Sequence, residues 1–187
     1  HVQKLAFEAL QEMRVKARWE ALDKESIQIA YAKACGKIYH APTFENGDSR
    51  KQLLARSIYL LYKKESLWTE SQRIRAGILF REYPDLKKAY YLSMRLGLIY
   101  HQCKHKDTAL TRLARWYDEV EKSGFLAFGR VIRSIQTHYL EIVNFFDRRS
   151  TNAASESFNA KIKDFRTQFR GVKDRTFFLF RLTKIYA

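Results

Sequence analysis

One segment near the end of the sequence carries a single carboxylate among amides and cations at helical spacing. Six polar residues recur there at steps of three and four: Asn152, Glu156, Asn159, Lys163, Arg166 and Arg170. Residues at these steps share one face of an α-helix, because each residue advances about 100° around the axis. Such a face could hold a metal ion at the carboxylate and a phosphate backbone along the cations.

The same segment has an apolar side. Phe158, Ile162, Phe165 and Phe169 form a second stripe, about 200° around the helix from the polar one, and should pack inward. A simpler interpretation of Glu156 stays open at this point. A carboxylate in the first turn of a helix is stabilised by the helix dipole without any metal, and Mg²⁺ sites usually take two or more carboxylates.

Composition predicts that helices position this polar face. The 187 residues include only 7 Gly and 2 Pro, too few turn residues for a β-sandwich or barrel. Hydrophobic residues make up 46% of the chain, enough to bury a core. We therefore expect an all-α bundle of about seven helices.

Apolar periodicity and capping signals place the individual helices. The pattern predicts a first helix over about 2–35, either unbroken or interrupted near Asp23, and a third that starts at the capping box of 69–72. The other predicted helices are 50–63, 84–103, 107–124, 128–146 and 152–170, followed by a short aromatic segment at 177–186. Thr69 and Gln72 have the spacing of a capping box, and Pro84 suits the first position of a helix. Trp68 and Trp116 are expected in the core.

The charge of the chain points to a polyanionic partner. There are 35 Lys or Arg against 20 Asp or Glu, a net charge of +15. From residue 148 onward ten basic and three acidic residues give +7, so the contact is best placed there. No apolar run is long enough to span a membrane, and we expect Cys35 and Cys103 to be reduced thiols.

The segment 146–163 resembles a known family. Its run from Phe146 to Lys163 is similar to the region around the third acidic residue in DDE transposases of bacterial insertion sequences, of the ISL3 type, with the pattern T-N-x-x-x-E-x-x-N-x-x-I-K. Upstream, the runs 68–72 and 83–90 and the positions Trp116 and Gly124 resemble the helical insertion of that lineage. The resemblance covers most of the chain.

The resemblance implies a site and a chemistry. The family's RNase H-like domain uses two Asp and one Glu to hold two Mg²⁺ or Mn²⁺ ions, which activate a water or a 3′-hydroxyl for attack on DNA. Glu156 matches the Glu and Lys163 the DNA-contacting cation, with Arg166 and Arg170 as further phosphate contacts and Asn159 as an orienting group. Asn152 stands where some relatives have Arg, and Arg149 where they have Tyr.

The resemblance also implies an organisation. Residues 1–147 would be the helical insertion, and 148–187 the Glu-bearing helix and aromatic tail, without the RNase H-like sheet. The sequence begins at His1 inside an apolar-periodic segment, so we expect a piece of a longer protein whose two Asp lie upstream, inactive by itself. The expected partners are transposon-end and target DNA in the bacterial cytoplasm, at the nucleoid, with a homodimer left open and no membrane or small-molecule cofactor.

Three other interpretations remain. The chain could be a non-catalytic helical module that binds nucleic acid, with Glu156 only a helix-start carboxylate. His101, Cys103 and His105 have a spacing found in zinc sites, although ordinary helix-end histidines explain them as well. The first helix carries Lys4, Arg14, Lys16 and Arg18 with Trp19, which predicts either a basic aromatic face on DNA or a solvated face with Trp19 in the core.

Overall fold

The computed structural model describes residues 2–103 and 105–147, and within these ranges the regular secondary structure is helical. Seven α-helices follow one another: α1 Val2–Ala34, α2 Arg50–Arg56, α3 Glu70–Glu82, α4 Pro84–Gln102, α5 Lys106–Ser123, α6 Gly129–Thr137 and α7 Tyr139–Asp147. Within the described ranges the β-structure is one isolated bridge between Thr43 and Ser49. The predicted all-α class is confirmed.

The chain forms two compact units, and the boundary between them lies within α4. The first unit is Gln3–Met94 and the second begins at Arg95. Fully buried leucines form the core of the first unit: Leu10, Leu53, Leu54, Leu60, Leu61 and Leu79. The core of the second contains Trp116, Val120 and Phe128, as expected for Trp116. The predicted boundary at residue 147 stays a prediction.

α1 is unbroken through Asp23 and ends in a glycine cap. Gly36 adopts a left-handed backbone with φ of 67°, which a residue with a side chain rarely takes. The amide of Lys37 donates to the carbonyl of Ala32 at 2.8 Å, and that of Gly36 to Lys33 at 3.0 Å. This pair of bonds is the Schellman motif, and it satisfies the last carbonyls of the helix.

The second helix is shorter than predicted. The expected range 50–63 ends as an α-helix at Arg56, and Leu60–Tyr62 forms a 3₁₀ turn instead. Side chains from elsewhere take the carbonyls of this stretch: Arg14 donates to Leu54 at 2.9 Å, Gln11 to Ile58 at 3.3 Å and Trp68 to Leu60 at 2.8 Å. Because these tertiary bonds satisfy the backbone, the chain can leave the helix and bury Leu60 and Leu61.

The starts of α3 and α4 agree with their capping signals. The Thr69 hydroxyl accepts from the amide of Gln72 at 3.3 Å, and the Gln72 side chain accepts from the amide of Thr69 at 3.2 Å. Pro84 is the first residue of α4. Farther along, the hydroxyl of Tyr90 donates to the carbonyl of Lys63 at 2.7 Å, and burial raises the pKa of this phenol.

The range 128–146, predicted as one helix, is two helices that meet at His138. Its backbone, with φ of −102° and ψ of 29°, leaves the helical region between α6 and α7. Apolar residues keep their periodicity across the break, with Ile135 and Phe146 both buried, so the sequence shows no interruption. The bend lets α7 pack against both α5 and α6, and the rings of Phe146 and Tyr100 stack at 5.4 Å.

A fully buried carboxylate joins the first interhelical loop to two helices. Asp48 accepts from Nε of Arg75 at 2.8 Å, from the guanidinium of Arg56 and from the side-chain amide of Asn46 at 2.9 Å. Burial alone would raise the pKa of Asp48, but the hydrogen bonds and charges of Arg75 and Arg56 lower it below its usual value. This group is therefore ionised and holds α2, α3 and the loop together.

Replacing Asp48 with Asn should destabilise the protein by about 3 kcal/mol, because two guanidinium groups lose their buried anion. The wild type should also lose stability as the pH falls below about 4, through the lowered folded-state pKa of Asp48. Urea unfolding across pH measures both effects, and the variant should lack this acid-dependent loss. Glu45→Gln, which removes an exposed partner of Arg81, is the control and should change stability little. Equal losses in the two variants would contradict the role of Asp48.

Replacing Gly77 with Ala should stabilise the protein by about 0.5–1 kcal/mol. Gly77 lies in the middle of α3, is exposed, and a Cβ built there meets no atom within 4 Å. Alanine restricts the unfolded chain without a clash in the folded one. Gly47→Ala is the matched control in the same unit and should destabilise, because φ is 79° at Gly47. Urea unfolding measures both changes in stability. If the midpoints of Gly77→Ala and Gly47→Ala move in the same direction, this explanation is wrong.

Candidate functional site

The polar face predicted to do chemistry lies beyond α7. Its members fall in the range 148–187, outside the described residues: Asn152, Glu156, Asn159, Lys163, Arg166 and Arg170. α7 ends at Asp147, immediately before this range. Their roles therefore rest on the sequence pattern, and they stay predictions.

The described residues contain no ready-made metal site. No group of three or more His, Cys, Asp or Glu side chains comes together within 2–103 and 105–147. Asp48 is the buried carboxylate of the first unit, and both of its oxygens already accept from arginines. A cation could bind Asp48 only by breaking those ion pairs, so this carboxylate is structural.

The zinc interpretation of the His101, Cys103 and His105 spacing loses its geometric basis. α4 ends at Gln102, and His105 precedes α5 as its N-cap residue. The two imidazoles therefore do not share the single helix face on which the spacing depended. Both histidines are exposed, and Cys103 is a half-buried free thiol.

A cleft of about 280 Å³ opens in the first unit between α1, the loop at 39–44 and the start of α2. Two of its polar pairs are internal: Lys51 binds Glu25 at 2.8 Å, and the Tyr39 hydroxyl donates to Gln28 at 3.0 Å. The carboxylate in the cleft is thus already neutralised by a lysine. This arrangement offers no acid and base pair for catalysis.

The basic aromatic face predicted on α1 is divided by the fold. Trp19 is 62% exposed, so the alternative that put it in the core is wrong. Lys16 and Arg18 are also exposed, whereas Arg14 is only 5% exposed and turns inward. Lys4 lies 3.7 Å from Glu8 in an exposed ion pair. The cations of α1 therefore do not form one continuous outward surface.

Arg14 is a buried cation whose identified partners are neutral. Its Nε donates to the side chain of Gln11 at 2.6 Å, and its Nη1 to the carbonyl of Leu54 at 2.9 Å. Burial lowers the pKa of Arg14 and the charge of Arg18 lowers it further, while Tyr62 raises it. No carboxylate in the described parts of the chain pairs with this guanidinium. The surface around it consequently has a positive potential.

Sequence reasoning missed a group of residues beside Arg14. Tyr59 is 74% exposed and Tyr62 46% exposed, and Lys63 and Lys64 follow them directly. The run Tyr-x-x-Tyr-Lys-Lys is an available signal, since exposed aromatic residues among lysines are typical of nucleic-acid surfaces. The sequence pattern does not show that these side chains are exposed, because the predicted helix over 50–63 continues through them.

Comparison with known proteins assigns the chain to a family. Residues 1–182 match a family model described as a transposase, of the DDE type and the ISL3 group. No curated protein and no solved structure matches the chain. Among the described residues, none of the helices combines the length and apolar character needed to cross a bilayer.

Proposed function

We propose that this chain, which belongs to the ISL3-type DDE transposases by its match over residues 1–182, acts in the cutting and joining of transposon-end DNA. The family match carries this proposal, because it includes both the described helices and the range with the polar face. A transposase acts on phosphodiesters, and the net charge of +15 suits that polyanionic substrate.

Glu156 is proposed as the family's third metal-binding carboxylate. The support is its place in the segment that resembles the family pattern, with Asn152 four residues before it and Asn159 three residues after it on the same helical face. Mg²⁺ or Mn²⁺ bound there would activate a water or a 3′-hydroxyl for attack on phosphorus. The Glu156 carboxylate contributes one negative charge to that site. The cations farther along the predicted face are in line with it.

Lys163, Arg166 and Arg170 are proposed to hold the DNA backbone. Lys163 lies two turns after Glu156, about 10 Å along a helix, so the two side chains can contact neighbouring groups of one strand. The arginines extend the cationic stripe by two more turns. Asn152 and Asn159 can donate and accept hydrogen bonds, and we assign them the orientation of nearby phosphates or ligands.

The helices of residues 2–147 are proposed to be the insertion that this lineage carries before its Glu. The resemblance matches neither catalytic Asp to a residue of this sequence. We therefore propose that the 187 residues bind DNA by themselves without cleaving it. The rival function, a non-catalytic nucleic-acid-binding module, assigns the same cations to DNA but gives Glu156 no metal.

Replacing Glu156 with Gln in the complete gene product should abolish cleavage of transposon-end DNA and leave DNA binding intact or slightly tighter. The substitution removes one negative charge and the metal-binding oxygen while keeping nearly the same shape. Cleavage is measured on end-labelled DNA with Mg²⁺ or Mn²⁺, and binding by gel shift.

Asp174→Asn is the matched control, since it changes the net charge by the same amount outside the polar face. It should cleave normally. The isolated 187 residues should give no product in the same assay. Normal cleavage by the Glu156 variant would favour the non-catalytic module.

Replacing Lys163 with Ala should weaken duplex binding equally for all DNA sequences and should reduce the salt dependence of binding by about one charge. Lys161→Ala is the control, because Lys161 is two residues away, about 200° around the predicted helix from Lys163. Binding titrations of the 187-residue chain at several salt concentrations measure, for each variant, the slope of log Kd against the logarithm of the salt concentration. Identical slopes for the two variants would remove the basis for the phosphate-binding face.

A further inference from the structure

A group of aromatic and cationic side chains lies on and beside α1 in the first unit, and all of them are exposed except Lys63, which is half-buried. We call it the tyrosine patch and define it by five residues: Arg18, Tyr59, Tyr62, Lys63 and Lys64. Tyr59 and Tyr62 are joined through a backbone hydrogen bond of 3.3 Å, and the ring of Tyr62 lies 5.2 Å from that of Phe7. The patch is therefore anchored to the packed body of the unit.

The cations of the patch are available to an outside anion. Within the described ranges, Arg18, Lys63 and Lys64 form no ion pair with a carboxylate. The neighbouring carboxylate of Glu65 instead accepts from the Tyr91 hydroxyl at 2.7 Å. An anion that approaches these side chains would therefore not have to displace a carboxylate of the described residues.

The buried charge of Arg14 adds to the positive potential of the tyrosine patch. Its buried guanidinium interacts electrostatically with both Arg18 and Tyr62, and the acceptors that it binds, Gln11 and Leu54, are neutral. The bond to Leu54 gives Arg14 a structural role at the end of α2. Its charge also adds to the positive potential near Arg18 and Tyr62.

We propose that the tyrosine patch binds unpaired DNA, with bases stacked on Tyr59 and Tyr62 and phosphates held by Arg18, Lys63 and Lys64. Phenol rings that are 74% and 46% exposed can receive the flat face of a base. In a duplex those faces are covered by neighbouring base pairs, so the patch should prefer single strands. The identity of the nucleic acid as DNA rests on the proposed function, whereas the patch and its preference do not depend on Glu156.

The test compares binding of one fluorescent oligonucleotide as a single strand and as a duplex to the 187-residue chain. The double variant Tyr59→Ala, Tyr62→Ala should lose about a hundredfold in single-strand affinity, because stacking contributes roughly tenfold per base and two rings are removed. Its duplex affinity should stay within about twofold, since the cations remain. The variant Tyr59→Phe, Tyr62→Phe should bind like the wild type, because stacking does not need the hydroxyl groups.

Tyr31→Ala is the matched control. Tyr31 is 73% exposed, nearly the same as Tyr59, and it lies on α1 about 20 Å beyond Arg18. Its removal should leave both affinities unchanged. Tyr59→Ala alone keeps the contact between Tyr62 and Phe7 and should still lose part of the single-strand affinity, which separates a binding defect from a folding defect.

Several results would overturn the proposal. These are an unchanged single-strand affinity in the alanine double variant, an equal loss in Tyr31→Ala, or an equal loss for the duplex. Displacement of the oligonucleotide by phosphatidylglycerol vesicles in the wild type but not in the double variant would assign the patch to a membrane surface instead. Loss of cleavage in the Glu156 variant with normal single-strand binding would separate the two sites.

Discussion

The ion pairs of Asp48 determine how the first unit is assembled. A single carboxylate with no solvent exposure accepts from Arg56 at the end of α2 and from Arg75 in α3, and it belongs to the loop that follows α1. Three segments far apart in the sequence thus share one charge. Such a contact is specific in geometry, since a planar guanidinium must meet each carboxylate oxygen. The end of α2 is fixed by it, and the 3₁₀ turn with Tyr59 and Tyr62 follows a few residues later.

Local signals predicted the helix ends well, and tertiary contacts explain the failures. Gly36, Thr69, Pro84 and Gly124 act on their own backbone neighbourhood, so their effect can be deduced from the residue types around them. The early end of α2 depends on Arg14, Gln11 and Trp68, which reach it from other elements. No periodicity in residues 50–63 contains that information. The bend at His138 is similar, because the packing of α7 decides it.

The same distinction applies to function. Periodicity and resemblance predict the face around Glu156, since residues repeating at steps of three and four need only a helix to share one side. The face of α1 was harder to predict. Arg14 and Arg18 are four residues apart and would share a side, yet one is buried and the other exposed. What separates them is the position of the segment 54–62, which the sequence pattern placed in a longer helix.

The distribution of charge shows why two surfaces make physical sense. Residues 148–187 carry a net charge of +7, but the first 94 residues carry 17 basic and 11 acidic side chains, a further +6. The residues between these ranges contribute only +2. Residues 148–187 are thus the most cationic part of the chain per residue, and the first 94 residues carry a similar excess spread over a longer range. Two modest contacts on one chain bind a polyanion more tightly than either does, because the first raises the effective concentration at the second. If the two proposed contacts favour different forms of DNA, duplex along the predicted helix 152–170 and unpaired bases at the tyrosines, we expect the chain to bind best where a duplex adjoins an opened strand. The ends of a cut or melted element have that form.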